Sequence, residues 1–107
     1  MSEADFTRMV IDLARLCRWR VAHFRTVQIA RKSGATYFAT PVQGDGAGFP
    51  DLILVRKRRC IAAELKVGKN KTSEAQDEWL ECFRGTGSVE AFVWRPEEWE
   101  EIERVLA

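Results

Sequence analysis

The sequence predicts an α/β fold with its elements in the order αβββαβα, and three features of its patterning carry that prediction. Apolar residues recur at helical spacing in three segments, at the start, past the middle and at the end. Between them lie short runs of Val, Ile, Leu, Phe and Ala with the length and composition of strands. Two of those runs flank a four-residue basic turn, as a hairpin requires.

Ser2, followed three residues later by Asp5, is a capping-box-like pair. Phe6, Met9, Val10, Leu13, Leu16 and Cys17 then share one face, so a first helix is expected over residues 3–18. Trp19 to Thr26 has strand composition, with Val21 and Phe24 as the expected buried positions. Residues 27–49 lack a clean period, contain Arg31-Lys32-Ser33-Gly34 and end in Gly44-Asp45-Gly46-Ala47-Gly48. They are expected to form a loop, of a length that in a compact domain is functional or disordered. The glycine run does not suit a nucleotide phosphate cradle, which follows a strand and opens a helix, whereas this run precedes a strand.

Asp51-Leu52-Ile53-Leu54-Val55 and Cys60-Ile61-Ala62-Ala63-Glu64-Leu65-Lys66, joined by Arg56-Lys57-Arg58-Arg59, read as a hairpin of two central strands. A helix is expected from Ser73 to Arg84, with Trp79, Leu80 and Phe83 as its apolar stripe and Gly85 or Gly87 as its end. Val89 to Trp94 is a further strand. Pro96 then opens a closing helix that carries Trp99, Ile102 and Leu106.

With 107 residues the chain is expected to be a single domain with one core. A domain this small that grips a long polymer gains stability and reach by self-association, which favours a homodimer. No run approaches the roughly 18 apolar residues of a membrane span, and the acidic start Met1-Ser2-Glu3-Ala4-Asp5 is unlike a secretory signal. An intracellular, cytoplasmic protein is expected. Cys17, Cys60 and Cys82 are odd in number, lack C-x-x-C spacing and are expected as reduced core residues. His23 is the one histidine, which argues against zinc.

Net charge is +1, but the charges are segregated. Residues 20–71 hold eleven Lys and Arg against three acids, Asp45, Asp51 and Glu64, whereas residues 72–107 hold three arginines against ten acids. One basic face for a polyanion and one acidic face turned away is the functional reading; charge solvated on helices and turns is the other.

The chemistry sits on the hairpin. With the turn centred between Lys57 and Arg58, paired residue numbers sum to 115, so Val55 faces Cys60 and Asp51 faces Glu64. Two like charges placed opposite each other repel unless a cation lies between them. Strand alternation puts Lys66 on the face of Glu64. Magnesium takes a few carboxylate oxygens and keeps several waters, leaving positions for a phosphate oxygen and an attacking water. A structural ion pair with Lys66 at the sheet end is the plainer alternative.

These residues resemble a known family. Gly48-Phe49-Pro50-Asp51-Leu52 followed by Glu64-Leu65-Lys66 is similar to the signature of PD-(D/E)xK nucleases. Gln76 within Ser73-Glu74-Ala75-Gln76-Asp77-Glu78-Trp79-Leu80, and Val93-Trp94-Arg95-Pro96, narrow the resemblance to the VRR-Nuc branch, which includes compact phage and bacterial nucleases and the nuclease module of the Fanconi-associated repair enzyme. The resemblance covers nearly the whole chain. It implies a restriction-endonuclease-like mixed sheet flanked by helices, with Mg2+, or Mn2+ in its place, held by Asp51, Glu64 and the Leu65 carbonyl. It further implies Lys66 as the catalytic lysine, Gln76 near the metal or scissile phosphate, and Glu3 as an additional metal-shell acid. Ser73 and Gln76 also make a capping box, and a first-turn glutamate suits any helix N-terminus, so both residues keep a structural alternative. His23 matches a polar position in small members, where a satisfied sheet histidine is the competing reading.

The implied activity is a metal-dependent DNA endonuclease, structure-selective for branched or four-way-junction DNA and acting as a homodimer. No nucleotide cofactor and no membrane are expected. A non-cleaving nucleic-acid-binding module and a flap or end-processing nuclease are the alternatives. Arg31, Lys32, Lys69 and Lys71 are the expected phosphate contacts, positioning DNA without reading its sequence. Tyr37 and Phe38 are candidates for stacking on bases. The Arg56 to Arg59 turn, at the far end of the hairpin from the acids, serves either a second DNA arm or only the solvation of the turn.

Overall fold

The computed structural model describes residues 1–24, 27–39 and 42–107. A first helix, α1 (Glu3–Leu16), is followed by strands β1 (Arg20–His23), β2 (Val27–Ala30), β3 (Thr36–Ala39), β4 (Leu52–Arg56) and β5 (Arg59–Leu65). Helix α2 (Glu74–Gly85), strand β6 (Glu90–Trp94), a 3-10 turn at Pro96–Glu98 and helix α3 (Trp99–Leu106) complete the chain. The protein is thus mixed α/β, as its patterning predicts, with one addition. Residues 27–39, expected as loop, form an antiparallel hairpin in which Val27 pairs with Ala39 and Ala30 with Thr36. Arg25 and Thr26, at the end of the expected first strand, and Thr40 and Pro41, within the expected loop, lie outside the described residues.

The main sheet has the order β1-β4-β5-β6, and β2-β3 forms a second, two-stranded sheet. β1, β4 and β5 pair antiparallel, whereas β6 runs parallel to β5. Parallel pairing needs a crossover, and α2 supplies it. The result is a mixed four-stranded sheet flanked by helices.

Alternation divides the sheet. Leu52 and Leu54 of β4, with Ile61, Ala63 and Leu65 of β5, face Phe6, Val10 and Ala14 of α1 and Ile102 and Leu106 of α3 in one buried cluster. Each of the Leu, Ile, Val and Phe side chains among them, fully buried, contributes about 1.5–3 kcal/mol. The opposite face carries Ala62 and Glu64 and is covered by α2 with its buried Leu80. Beside it Phe49 meets Phe24, Trp79 and Phe83 edge to face, with centroids 4.9, 5.0 and 6.0 Å away. Val21 and Phe24, the expected buried residues of the first strand, are only half-buried; Trp19, just before β1, is the buried one. Cys17 and Cys60 are free and half-buried, but Cys82 is exposed, contrary to its expected place in the core. It lies on α2 away from the stripe that buries Leu80.

The basic turn is not a uniform free patch. The Arg56 guanidinium donates to the carbonyls of Cys17, Leu106 and Ala107 at 2.9, 3.0 and 3.1 Å and lies 4.5 Å from the centroid of the Trp19 ring. Arg59 donates to the Val105 carbonyl and, at 2.7 and 2.8 Å, to both carboxylate oxygens of Glu90. Two cations thus satisfy the carbonyls at the C-terminal ends of α1 and α3, where the helix dipoles favour positive charge. Lys57 and Arg58 stay exposed.

Candidate metal centre

The β4–β5 register is set by the turn. Val55 pairs with Cys60, Leu54 with Ile61 and Leu52 with Ala63, so the next position places Asp51 beside Glu64. Asp51 stands just before β4, where its carbonyl accepts the Phe24 N–H at 2.8 Å and prolongs the pairing of β1 with β4. Its Oδ2 accepts the Leu65 N–H at 2.9 Å, which fixes the carboxylate against the end of β5. In an extended strand the N–H and C=O of one residue point to the same side, so the Leu65 carbonyl is also turned toward Asp51.

The approach of Pro50-Asp51 depends on Gly48. A Cβ there would lie 2.5 Å from the Ala75 carbonyl carbon and 2.6 Å from the Gln76 nitrogen, and its φ of +78° is one that favours glycine. The glycine run therefore serves close packing on the start of α2, which holds the acid-bearing segment in place.

Glu64 is 1% exposed, and its Oε2 has no hydrogen-bond partner. Burial, then a hydrogen bond to the Asp51 carboxyl and repulsion by its charge, pushes Glu64 up to about 9, while Lys66 acts in the opposite direction. Leaving such a group buried and unsatisfied is costly. A cation between the acids removes the repulsion and partners the orphaned oxygen, so the donor set fits a hard divalent metal. Among the described residues no three His, Cys, Asp or Glu side chains gather as a ready ligand set. Two carboxylates beside a backbone carbonyl match magnesium or manganese, which retain water, better than a closed zinc site.

Lys66 is half-buried, with its N–H bonded to the Trp94 carbonyl at 3.0 Å, and its charge reaches Glu3 and Glu64. Glu3 opens α1 and is exposed; partial burial and then the Asp51 charge raise it, while Lys66 lowers it. It is an electrostatic neighbour of the acids. Glu3, His23 and Asp51 all line one groove of about 690 Å3 between α1 and β1.

The VRR-NUC domain family matches residues 13–95, which include Asp51, Glu64, Lys66, Gln76 and Arg95. The chain belongs to the VRR-NUC domain family. It is a nuclease-type domain. Among curated proteins and among solved structures no match is found.

Within this VRR-NUC domain Gln76 closes the expected cap. Its Oε1 accepts the Ser73 N–H at 2.8 Å and its own N–H donates to Ser73 Oγ at 3.2 Å. Its backbone abuts Gly48, three residues from Asp51. Lys69 and Lys71 are exposed in the loop that follows Lys66. That loop is held by Arg95, which donates to the Gly68 carbonyl at 3.2 Å and the Asn70 carbonyl at 2.6 Å. Sequence reasoning gave Arg95 no role; its position directly after Trp94, the partner of Leu65 in the sheet, was the available signal. Arg31 and Lys32 lie exposed in the turn of the β2–β3 hairpin, with Arg31 stacked 4.4 Å from the centroid of Tyr37. The segment carrying this hairpin leaves the main sheet after His23 and returns at Pro50, both at the acid end. Tyr37 and Phe38 are exposed there, Phe38 at 73%.

Proposed function

We propose that this VRR-NUC domain is a metal-dependent DNA endonuclease whose centre is Asp51, Glu64 and the Leu65 carbonyl, with Lys66 as the catalytic lysine. The observation that carries the reading is the meeting of the Asp51 and Glu64 carboxyls beside Lys66, with one buried Glu64 oxygen unpartnered. Such a pair is unfavourable as architecture and favourable as a cation holder.

Bound magnesium or manganese supplies Lewis-acid charge and a more acidic water. The chain's own residues do the rest. Asp51 is held through one carboxylate oxygen by the Leu65 N–H, and its second oxygen would be the one to hold the metal. Glu64, enclosed by sheet and α2, keeps bulk water from one side. Lys66 offsets negative charge growing on the phosphoryl oxygens. Glu3 tunes this field from the groove mouth as an outer acid of the metal shell. Gln76 reaches the scissile phosphate by releasing its cap to Ser73. Arg31, Lys32, Lys69 and Lys71 bind phosphates, the last two on a loop braced by Arg95.

The substrate we infer is branched DNA, four-way junctions first, cut by a homodimer whose two-fold axis gives paired incisions. The segregation of charge along the chain, basic over residues 20–71 and acidic over residues 72–107, supports a basic DNA-facing surface. In the deciding assay, purified protein meets junction, flap, duplex and single-stranded DNA with Mg2+ or Mn2+. Metal-dependent products that favour the junction, lost in Asp51→Asn and Lys66→Ala, are expected; full activity of either variant overturns the assignment. Sedimentation with and without junction DNA tests the dimer.

A further inference from the structure

The edge of the main sheet carries a second basic site. α1 begins beside Asp51 and ends beside Arg56, so the groove it makes with β1 leads from the metal centre toward the basic turn. Along α1 this groove is mixed in charge, with Glu3, Arg8, Asp12 and Arg15 on its walls and Arg8 paired to Asp5 at 3.5 Å. At its far end lies a pocket of about 550 Å3 lined by Cys17, Arg18, Arg20, Val55, Arg56 and Lys57, with no acid among them. Arg56 is committed to helix-end carbonyls, whereas Arg18, Arg20 and Lys57 are exposed and make no ion pair among the described residues.

Two of these three basic residues sit where glycine is the easier choice. Arg18 and Lys57 have φ of 69° and 56°, and among the described residues they are the non-glycine positions with positive φ. Only a few per cent of non-glycine residues adopt this region. Keeping long cations at both, around one pocket, points to a use for the side chains.

We propose that Arg18, Arg20 and Lys57 form a distal phosphate clamp, and that the α1–β1 edge guides the backbone of a DNA arm from the metal centre to it. The proposal rests on the nuclease reading above. The fourteen residues of α1 rise about 21 Å, and the six steps from Asp51 to Lys57 span about 20 Å. At about 3.4 Å of axis per base pair, the clamp meets an arm roughly six base pairs from the cut.

The test is binding, measured by fluorescence anisotropy without divalent cation, so that it does not depend on cleavage. Branched DNA with arms of four to fourteen base pairs is the probe. Wild-type affinity is expected to rise about tenfold as the arms pass about six base pairs. The variant Arg18→Gly/Arg20→Ala/Lys57→Gly, in which glycine suits the two left-handed positions, loses that step and lowers the salt slope by about 3. Arg20→Glu/Lys57→Glu provides a second, independent loss. A step retained in either folded variant, or absent from the wild type, overturns the clamp. Failure of the nuclease reading shows separately, as absence of metal-dependent products from wild-type protein on every substrate.

Discussion

The Asp51 carboxylate accepts the main-chain N–H of Leu65 at 2.9 Å, tying the first acid to the strand that carries the second. Asp51 therefore serves the fold and, in the proposed centre, the metal as well, and substitutions separate the two. Asparagine keeps an acceptor for Leu65 and loses the charge; alanine loses both. Asp51→Asn and Asp51→Ala are expected to lose cleavage alike, by roughly 100-fold or more. Denaturant unfolding should show Asp51→Ala alone destabilised, by about 1–3 kcal/mol for a buried N–H left unpaired.

Glu64 gives the metal-free protein a distinctive pH dependence. Its carboxyl is raised from 4.5 to about 9 in the fold, so the folded state favours the neutral form. That contribution to stability is therefore whole below about 4.5 and is lost as pH rises toward 9. Thermal melts in EDTA between pH 5 and 9 should fall with pH for the wild type and flatten for Glu64→Gln. At pH 8 the variant should melt higher by about 5 °C or more. Magnesium should stabilise the wild type and leave Glu64→Gln unmoved.

Gln76 can be resolved between cap and site by one substitution. Glutamate serves the capping box as well as glutamine does, but it carries no amide donor and adds negative charge near the acids. Gln76→Glu is expected to match wild-type stability in denaturant titrations while cleavage drops at least tenfold. Cleavage at the wild-type rate would leave Gln76 as a helix cap only.

Arg56 should behave as structure despite its basic neighbours. Arg56→Ala removes three carbonyl contacts and the stack on Trp19, and a cost of about 2–4 kcal/mol is expected from chemical denaturation. Lys57→Gly should be within about 0.5 kcal/mol of wild type or slightly more stable.

The central hairpin was legible because its turn and its two apolar runs fix one register. Once Val55 faces Cys60, nothing else can place Asp51. The Ser73–Gln76 cap was legible for the same kind of reason, a local pattern with one geometry. The β2–β3 hairpin was not. Val27-Gln28-Ile29-Ala30 and Thr36-Tyr37-Phe38-Ala39 are each four residues long, too short for a period to stand out, and their signal lay in the β-branched and aromatic residues flanking Ser33-Gly34. The work of Arg56, Arg59 and Arg95 was hidden for a different reason. Each bonds backbone carbonyls, which every residue possesses, so no partner in the sequence marks them.

The parallel pairing of β5 with β6 also sets a timetable for synthesis. Glu64 and Leu65 align with Val93 and Trp94, so the strand bearing the acids lacks its second neighbour until the chain has passed through α2 and β6. A nascent chain that has just made both acids holds an open sheet edge and two repelling carboxyls, and distant contacts of this kind close late. The candidate centre is thus assembled only near the end of the matched domain, and a fragment stalled before β6 carries Asp51, Glu64 and Lys66 without the strand that closes the sheet beside them.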